Sequence, residues 1–112
     1  EVPADLTALA DREGALMMEF RVDQHPLGRV EQRMDCGWPC SGSKDMTEFF
    51  RSLPEGQWAR IGISLSCFRK LGVNLSKVTT PLILVNTKDF AVTFRDVRVI
   101  ANAPEKSLLS CN

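Results

Sequence analysis

The sequence predicts an all-β fold, an antiparallel β-sandwich with short helical insertions. Three observations lead there. Five segments carry strand patterning: four alternate apolar and polar residues, and one is apolar on both faces. Helical periodicity is confined to short runs, the clearest being Met46, Phe49, Phe50 and Leu53. No long helix separates the strands, as a doubly wound parallel sheet would require.

The elements follow in chain order. Leu6, Leu9 and Ala10 stand at helical spacing behind Asp5, an N-cap candidate, in at most two turns before Gly14. From Ala15 to Asp23 the chain alternates, with Leu16, Met18, Phe20 and Val22 on one face and Met17, Glu19, Arg21 and Asp23 on the other. Gln24 to Gly28 is a turn. A second strand runs from Arg29 to Cys36, with Gln32 as the polar exception on the inner face beside Val30 and Met34. Gly37 to Lys44 reads as a loop. Asp45 and Glu48 have the spacing of a capping box for the helix that carries the Met46 stripe, and Pro54-Glu55-Gly56 ends it. Gln57 to Leu65 is a strand with Ala59, Ile61, Ile63 and Leu65 on one face and Trp58 on the other. Ser66 is a cap candidate for one helical turn through Leu71, stopped by Gly72. Pro81 to Asn86 reads as an interior strand covered on both sides. The last strand, Phe90 to Ile100, changes phase between Phe94 and Val97. An apolar step of three requires an extra residue, so a β-bulge is expected near Arg95-Asp96.

A chain of 112 residues is one domain, with a folded surface of about 6,000 Å² by area scaling. The expected division is a leading segment 1–13, a sandwich over 14–101 and a polar tail over 102–112 with a weak apolar pair, Leu108-Leu109. Fourteen basic and fourteen acidic residues cancel and are interspersed. That excludes the basic footprint of nucleic-acid binding. The longest uncharged apolar runs are about five residues, too short for a membrane span. No secretory signal opens at Glu1-Val2-Pro3, which leaves room for one upstream in a longer precursor. His25 is the only histidine, so any Ser-His or Cys-His chemistry would have to run through it; beside Pro26 it reads as a solvated turn residue.

The four cysteines are Cys36, Cys40, Cys67 and Cys111. Cys36-Gly-Trp-Pro-Cys40 has three intervening residues, unlike the thioredoxin-type pair, and lacks a second close pair for a zinc site. Two readings remain: a short-loop disulfide Cys36–Cys40, with Cys67 as the competing partner of either, or buried small hydrophobes.

The run Gln57-Trp58-Ala59-Arg60-Ile61-Gly62-Ile63-Ser64-Leu65-Ser66-Cys67-Phe68, then Gly72-Val73-Asn74-Leu75, with Phe94-Arg95-Asp96-Val97 near the end, resembles the closing half of galactose-binding-like jelly rolls. Residues 15–23 and Arg33-Met34-Asp35-Cys36-Gly37-Trp38-Pro39-Cys40 narrow this. They resemble a C-terminal domain of bacterial exo-1,3/1,4-β-glucan glucohydrolases, β-glucosidase-related members of glycoside hydrolase family 3. The resemblance spans roughly residues 14–101. It implies a longer parent with catalytic domains upstream, a periplasmic or secreted location in keeping with a Cys36–Cys40 disulfide, and a leading segment 1–13 that is the remnant of a longer domain. The family's aspartate nucleophile and glutamate acid/base belong to the upstream domains, so no catalytic residue is carried over and this chain alone is not expected to be an enzyme.

Sugar-binding domains stack aromatic faces on pyranose rings, which makes Trp38 in the cysteine loop and Trp58 at a strand start the candidates for contact with carbohydrate or with the parent's catalytic domains. No cofactor is expected. A structural calcium would need several oxygen donors, and only Asp96, with Glu13 or Asp11, offers a weak set. Three readings follow: a non-catalytic accessory domain of an exo-β-glucanase acting on terminal β-linked glucose, an independent carbohydrate-binding module for β-glucan or its oligosaccharides, or a docking domain.

Overall fold

The computed structural model describes residues 2–111. The described residues form six strands, β1 (Ala15–Gln24), β2 (Val30–Asp35), β3 (Ser41–Asp45), β4 (Trp58–Ser64), β5 (Thr80–Asn86) and β6 (Ala91–Ile100), with short helices α1 (Thr7–Asp11), α2 (Thr47–Ser52) and α3 (Leu65–Lys70). One antiparallel sheet has the order β4-β1-β6, the other β3-β2-β5. The alternation in β1 sends Leu16, Met18, Phe20 and Val22 into the core, where they meet Val30 and Met34 of β2. Gln32 is fully buried there, and its Nε2 donates to Met18 Sδ across the sandwich at 3.3 Å. Phe20 collects Phe49, Phe50 and Phe94 around it with ring centroids 5.5–6.3 Å apart. The Met46 stripe of α2 thus supplies the aromatic centre of the core.

The bulge lies where the phase change in the last strand puts it. Glu19 is opposite Asp96 and Phe20 opposite Phe94, so Arg95 is the extra residue. Phe94 and Val97 therefore share the core-facing side despite their odd spacing.

Five elements differ from the sequence expectation. Residues 41–45 are a strand, β3, paired with β2 from Asp35↔Ser41 to Glu31↔Asp45. Their composition, Ser-Gly-Ser-Lys-Asp, has low strand propensity. Pairing is instead imposed by the Cys36–Cys40 disulfide and the backbone bond from Cys36 N to Cys40 O at 2.9 Å, which close the hairpin. Gly42 is needed because the turn after α3 lies against it: a Cβ there would stand 2.9 Å from Leu71 O. Second, β5 is an outer strand and not an interior one. Pro81 has no N–H to give a neighbour, and Val85 is 42% exposed. Third, Ser64, not Ser66, caps α3, accepting from Cys67 N at 3.1 Å. Fourth, Asp45 accepts from Thr47 N at 2.9 Å and Thr47 Oγ1 at 2.7 Å, but Glu48 turns outward to Arg51, so no capping box closes. Fifth, 102–112 is not a loose tail. Leu109 N donates to Gly62 O at 2.9 Å, Leu108 packs over Gly62 and Met17 on the outer face, and Cys111 is bonded to Cys67. This pairing brings together two cysteines with no signal in their local sequence. The segment is a strap from the β4 edge of one sheet toward β3 of the other, where Lys44 Nζ donates to Cys111 O at 3.4 Å. The leading segment is also docked: Ala4 bridges Val78, and Leu6 and Ala10 are buried.

Candidate functional site

Trp38 stands on the three-residue arch between Cys36 and Cys40, 67% exposed. Gly37, at φ +86°, makes the turn, and its N–H donates to Thr79 Oγ1 at 3.1 Å, which anchors the loop to the start of β5. The Arg33 guanidinium lies 4.7 Å from the Trp38 ring centroid while Arg33 Nε donates to Asp35 at 2.8 Å. The result is an aromatic platform held by a covalent loop and a cation stack.

Trp58 is placed differently. It lies on the outer face of the β4-β1-β6 sheet, 40% exposed, with Arg95 at 3.9 Å and Arg21 at 5.1 Å from its ring centroid. Its aromatic surface is engaged by the protein's own cations. The structure does not bring the two tryptophans together: they belong to different sheets. Asp96 pairs with Arg98 at 3.0 Å, and no group of acidic, histidine or cysteine residues suited to a metal ion occurs among the described residues. Asp11 ends α1 and Glu13 follows it, while Asp96 lies on β6 opposite Glu19. His25 is not a free turn residue. Its backbone N–H donates to Glu55 at 2.8 Å and its Nε2 sits 2.6 Å from Leu53 O, tying the end of β1 to the loop after α2.

A cleft of about 610 Å³, within the usual size of a small-molecule site, opens on the β3–β4 side of the sandwich. Its walls are the start of β2, the end of β3, the first turn of α2 and the strap. Arg29, Asp45, Glu48 and Arg51 give it a polar rim, and Phe49 and Leu109 give it apolar surface. Asp45 is held by its two bonds from Thr47, first the hydroxyl and then the backbone N–H, which keep its carboxyl below the ordinary aspartate range. Arg29 bonds Glu31 at 2.6 Å, and Arg51 bonds Pro26 O and Glu48, each at 3.2 Å. Sequence reasoning missed this cleft. Asp45 has the pattern of a helix cap and Phe49 that of a core residue; Met46 is the N-cap, with Asp45 bonding Thr47 from just before it, and Phe49 is half-buried against the core. The strap that forms the far wall depends on the Cys67–Cys111 bond across 44 positions. The chemistry-bearing residue types were visible; the wall was not.

Two three-stranded antiparallel sheets place the chain among β-sandwich domains. The Exop_C family model, described as galactose-binding domain-like, matches residues 1–99, and the chain belongs to that family. Membership supports a carbohydrate-binding or accessory role. No curated protein and no solved structure matches the chain. The two disulfides fit an oxidising compartment, and no helix among the described residues is long and apolar enough to cross a membrane.

Proposed function

We propose that the chain is the non-catalytic C-terminal accessory domain of a periplasmic or secreted exo-β-glucan glucohydrolase of glycoside hydrolase family 3, whose upstream domains release terminal β-linked glucose. The observation that carries the accessory role is the open side of the sandwich. No residue of β5 or β6 is fully buried, although Leu82, Leu84, Val92, Phe94 and Val99 pack against the core. Both strands are outermost in their sheets. Because the strap joins the β4 and β3 sides, β5 and β6 flank the opposite side. An outer strand leaves one row of backbone donors and acceptors unpaired, and apolar side chains beside it call for a cover. In this reading the cover is the remainder of the parent chain, and the Trp38 loop, anchored to the start of β5, meets the parent's catalytic domains. The resemblance of residues 15–23 and 33–40 to family 3 enzymes supports the parentage.

The test is amide hydrogen exchange on this domain alone and within its full-length polypeptide, together with product analysis of that polypeptide on β-glucan oligosaccharides. Slower exchange over 80–100 and around Trp38 in the longer chain, with glucose released from chain ends, is the expected result. Equal exchange at those amides in both would remove the docking reading, and absence of glucosidase activity would remove the parentage.

A further inference from the structure

We infer that the cleft between β3, α2 and the C-terminal strap is a binding site for a neutral saccharide, the end of a β-linked gluco-oligosaccharide in the parentage proposed above. The inference takes its ligand class from membership of a galactose-binding-like family; the location rests on the cleft alone. Its lining combines two chemistries. Phe49 and Leu109 offer apolar surface to the C–H face of a pyranose. The Asp45 and Glu48 carboxylates and the Arg29 and Arg51 guanidinium groups are planar and two-pronged, suited to neighbouring hydroxyls.

These polar groups are positioned without a ligand. Asp45 Oδ1 is occupied by Thr47 N–H and hydroxyl, which leaves Oδ2 turned toward Arg29 at 3.9 Å. Arg51 is braced by Pro26 O. Side chains already fixed lose little freedom on binding. The charge balance argues for a neutral ligand. Three cations line the cleft: Arg29 faces Glu31 and Asp45, Lys44 acts on the Asp45 carboxylate and donates to Cys111 O, and Arg51 faces Glu48, so the field that would capture a phosphate or carboxylate is reduced by the neighbouring carboxylates. The apolar wall is built by the strap: Leu109 is held by its bond to Gly62 O, with Cys111 fixed to Cys67 two residues on.

The test is a titration of the isotope-labelled chain with laminaritriose and cellotriose, following backbone amide signals. The expected result is saturable shifts at Arg29, Asp45 to Phe49, and Ser110, with amides 37–40 unmoved. The pair Glu48→Gln and Arg51→Gln, both at exposed positions, should weaken binding about tenfold or more while thermal unfolding stays cooperative. Trp38→Ala should leave the affinity unchanged. Shifts confined to 37–40 would overturn the cleft and keep a carbohydrate role on the tryptophan loop. A folded chain with no shifts at millimolar sugar would overturn the cleft and leave only the docking role. Equal affinity for inorganic phosphate at the same amides would overturn the neutral-ligand assignment.

Discussion

Arg95 reaches across the central strand β1 to lie 3.9 Å from the centre of the Trp58 ring, and its Nη2 donates to Glu19 Oε2 at 2.7 Å on the way. Arg95 is also the extra residue of the bulge in β6. A single inserted residue therefore restores the inward phase of Val97 and Val99 and supplies the cation that stacks on Trp58. The stack covers part of the Trp58 ring, which stays 40% exposed.

Removing Arg95 separates the two roles. In the observed register Glu19 already faces Asp96 and Phe20 faces Phe94. Deletion of Arg95 would join these pairs into an uninterrupted ladder without turning any side chain over. The deletion variant should unfold in one cooperative thermal transition. In a Trp38→Phe background, where Trp58 alone fluoresces, its emission should move to longer wavelength. Loss of the cooperative transition would show that the bulge is needed for more than register.

The two disulfides should differ in weight. Cys36–Cys40 closes a separation of 4 and Cys67–Cys111 one of 44. Loop-closure entropy assigns about 2 kcal/mol to the first and about 4 kcal/mol to the second. The double variant Cys67→Ala/Cys111→Ala should thus lose more in denaturant melts than Cys36→Ala/Cys40→Ala. It should also release the strap, giving fast exchange at the Leu109 amide. A larger loss from the Cys36–Cys40 pair would mean that hairpin nucleation, and not chain entropy, sets the order.

What the sequence made legible was whatever depends on local period. The alternation of β1, the α2 stripe, the buried position of Gln32 and the bulge all follow from the spacing of apolar residues. What escaped was whatever depends on a distant partner. Ser41-Gly42-Ser43 has the composition of a loop, and only the cystine hairpin and the close approach of Leu71 make it a strand. The apolar run in β5 has the pattern of an interior strand because both faces carry Leu, Ile or Val. Burial on both faces needs neighbours that these residues cannot specify. The strap, and with it the cleft, rests on a disulfide whose pairing is invisible in local spacing.

Gln32 tests how far the core tolerates a buried amide. The side chain is fully buried, its Nε2 has only the Met18 sulfur, and its Oε1 has no hydrogen-bond partner among the described residues. A carbonyl oxygen buried unpaired costs about 1–3 kcal/mol. Gln32→Met, similar in length and volume, should raise stability by about 1 kcal/mol, or roughly 4 °C in the unfolding midpoint. A lower midpoint would indicate that the amide fixes the registry of the two sheets.

Acid should unfold the domain from its carboxylates. Asp45 is bonded by Thr47, Asp23 by Thr93 and then Arg21, Glu19 by Arg95, and Asp5 by the Thr7 backbone; each is held below its ordinary pKa. The native state therefore binds fewer protons than the unfolded chain in the acid range. The stability these groups contribute is complete above the ordinary carboxylate range, about pH 4, and is lost as pH falls through the native values. All are solvent-facing, so the decline should be gradual and made of several small contributions. Thermal midpoints should be level between about pH 7 and 5 and fall below about pH 4. Asp45→Asn keeps an oxygen to accept from Thr47 but cannot titrate, so it should flatten part of the acid slope while folding normally at neutral pH. If Asp45→Asn leaves the slope unchanged, the Thr47 bonds favour neither protonation state, and acid sensitivity resides in the Glu19 and Asp23 contacts on the outer face of β1.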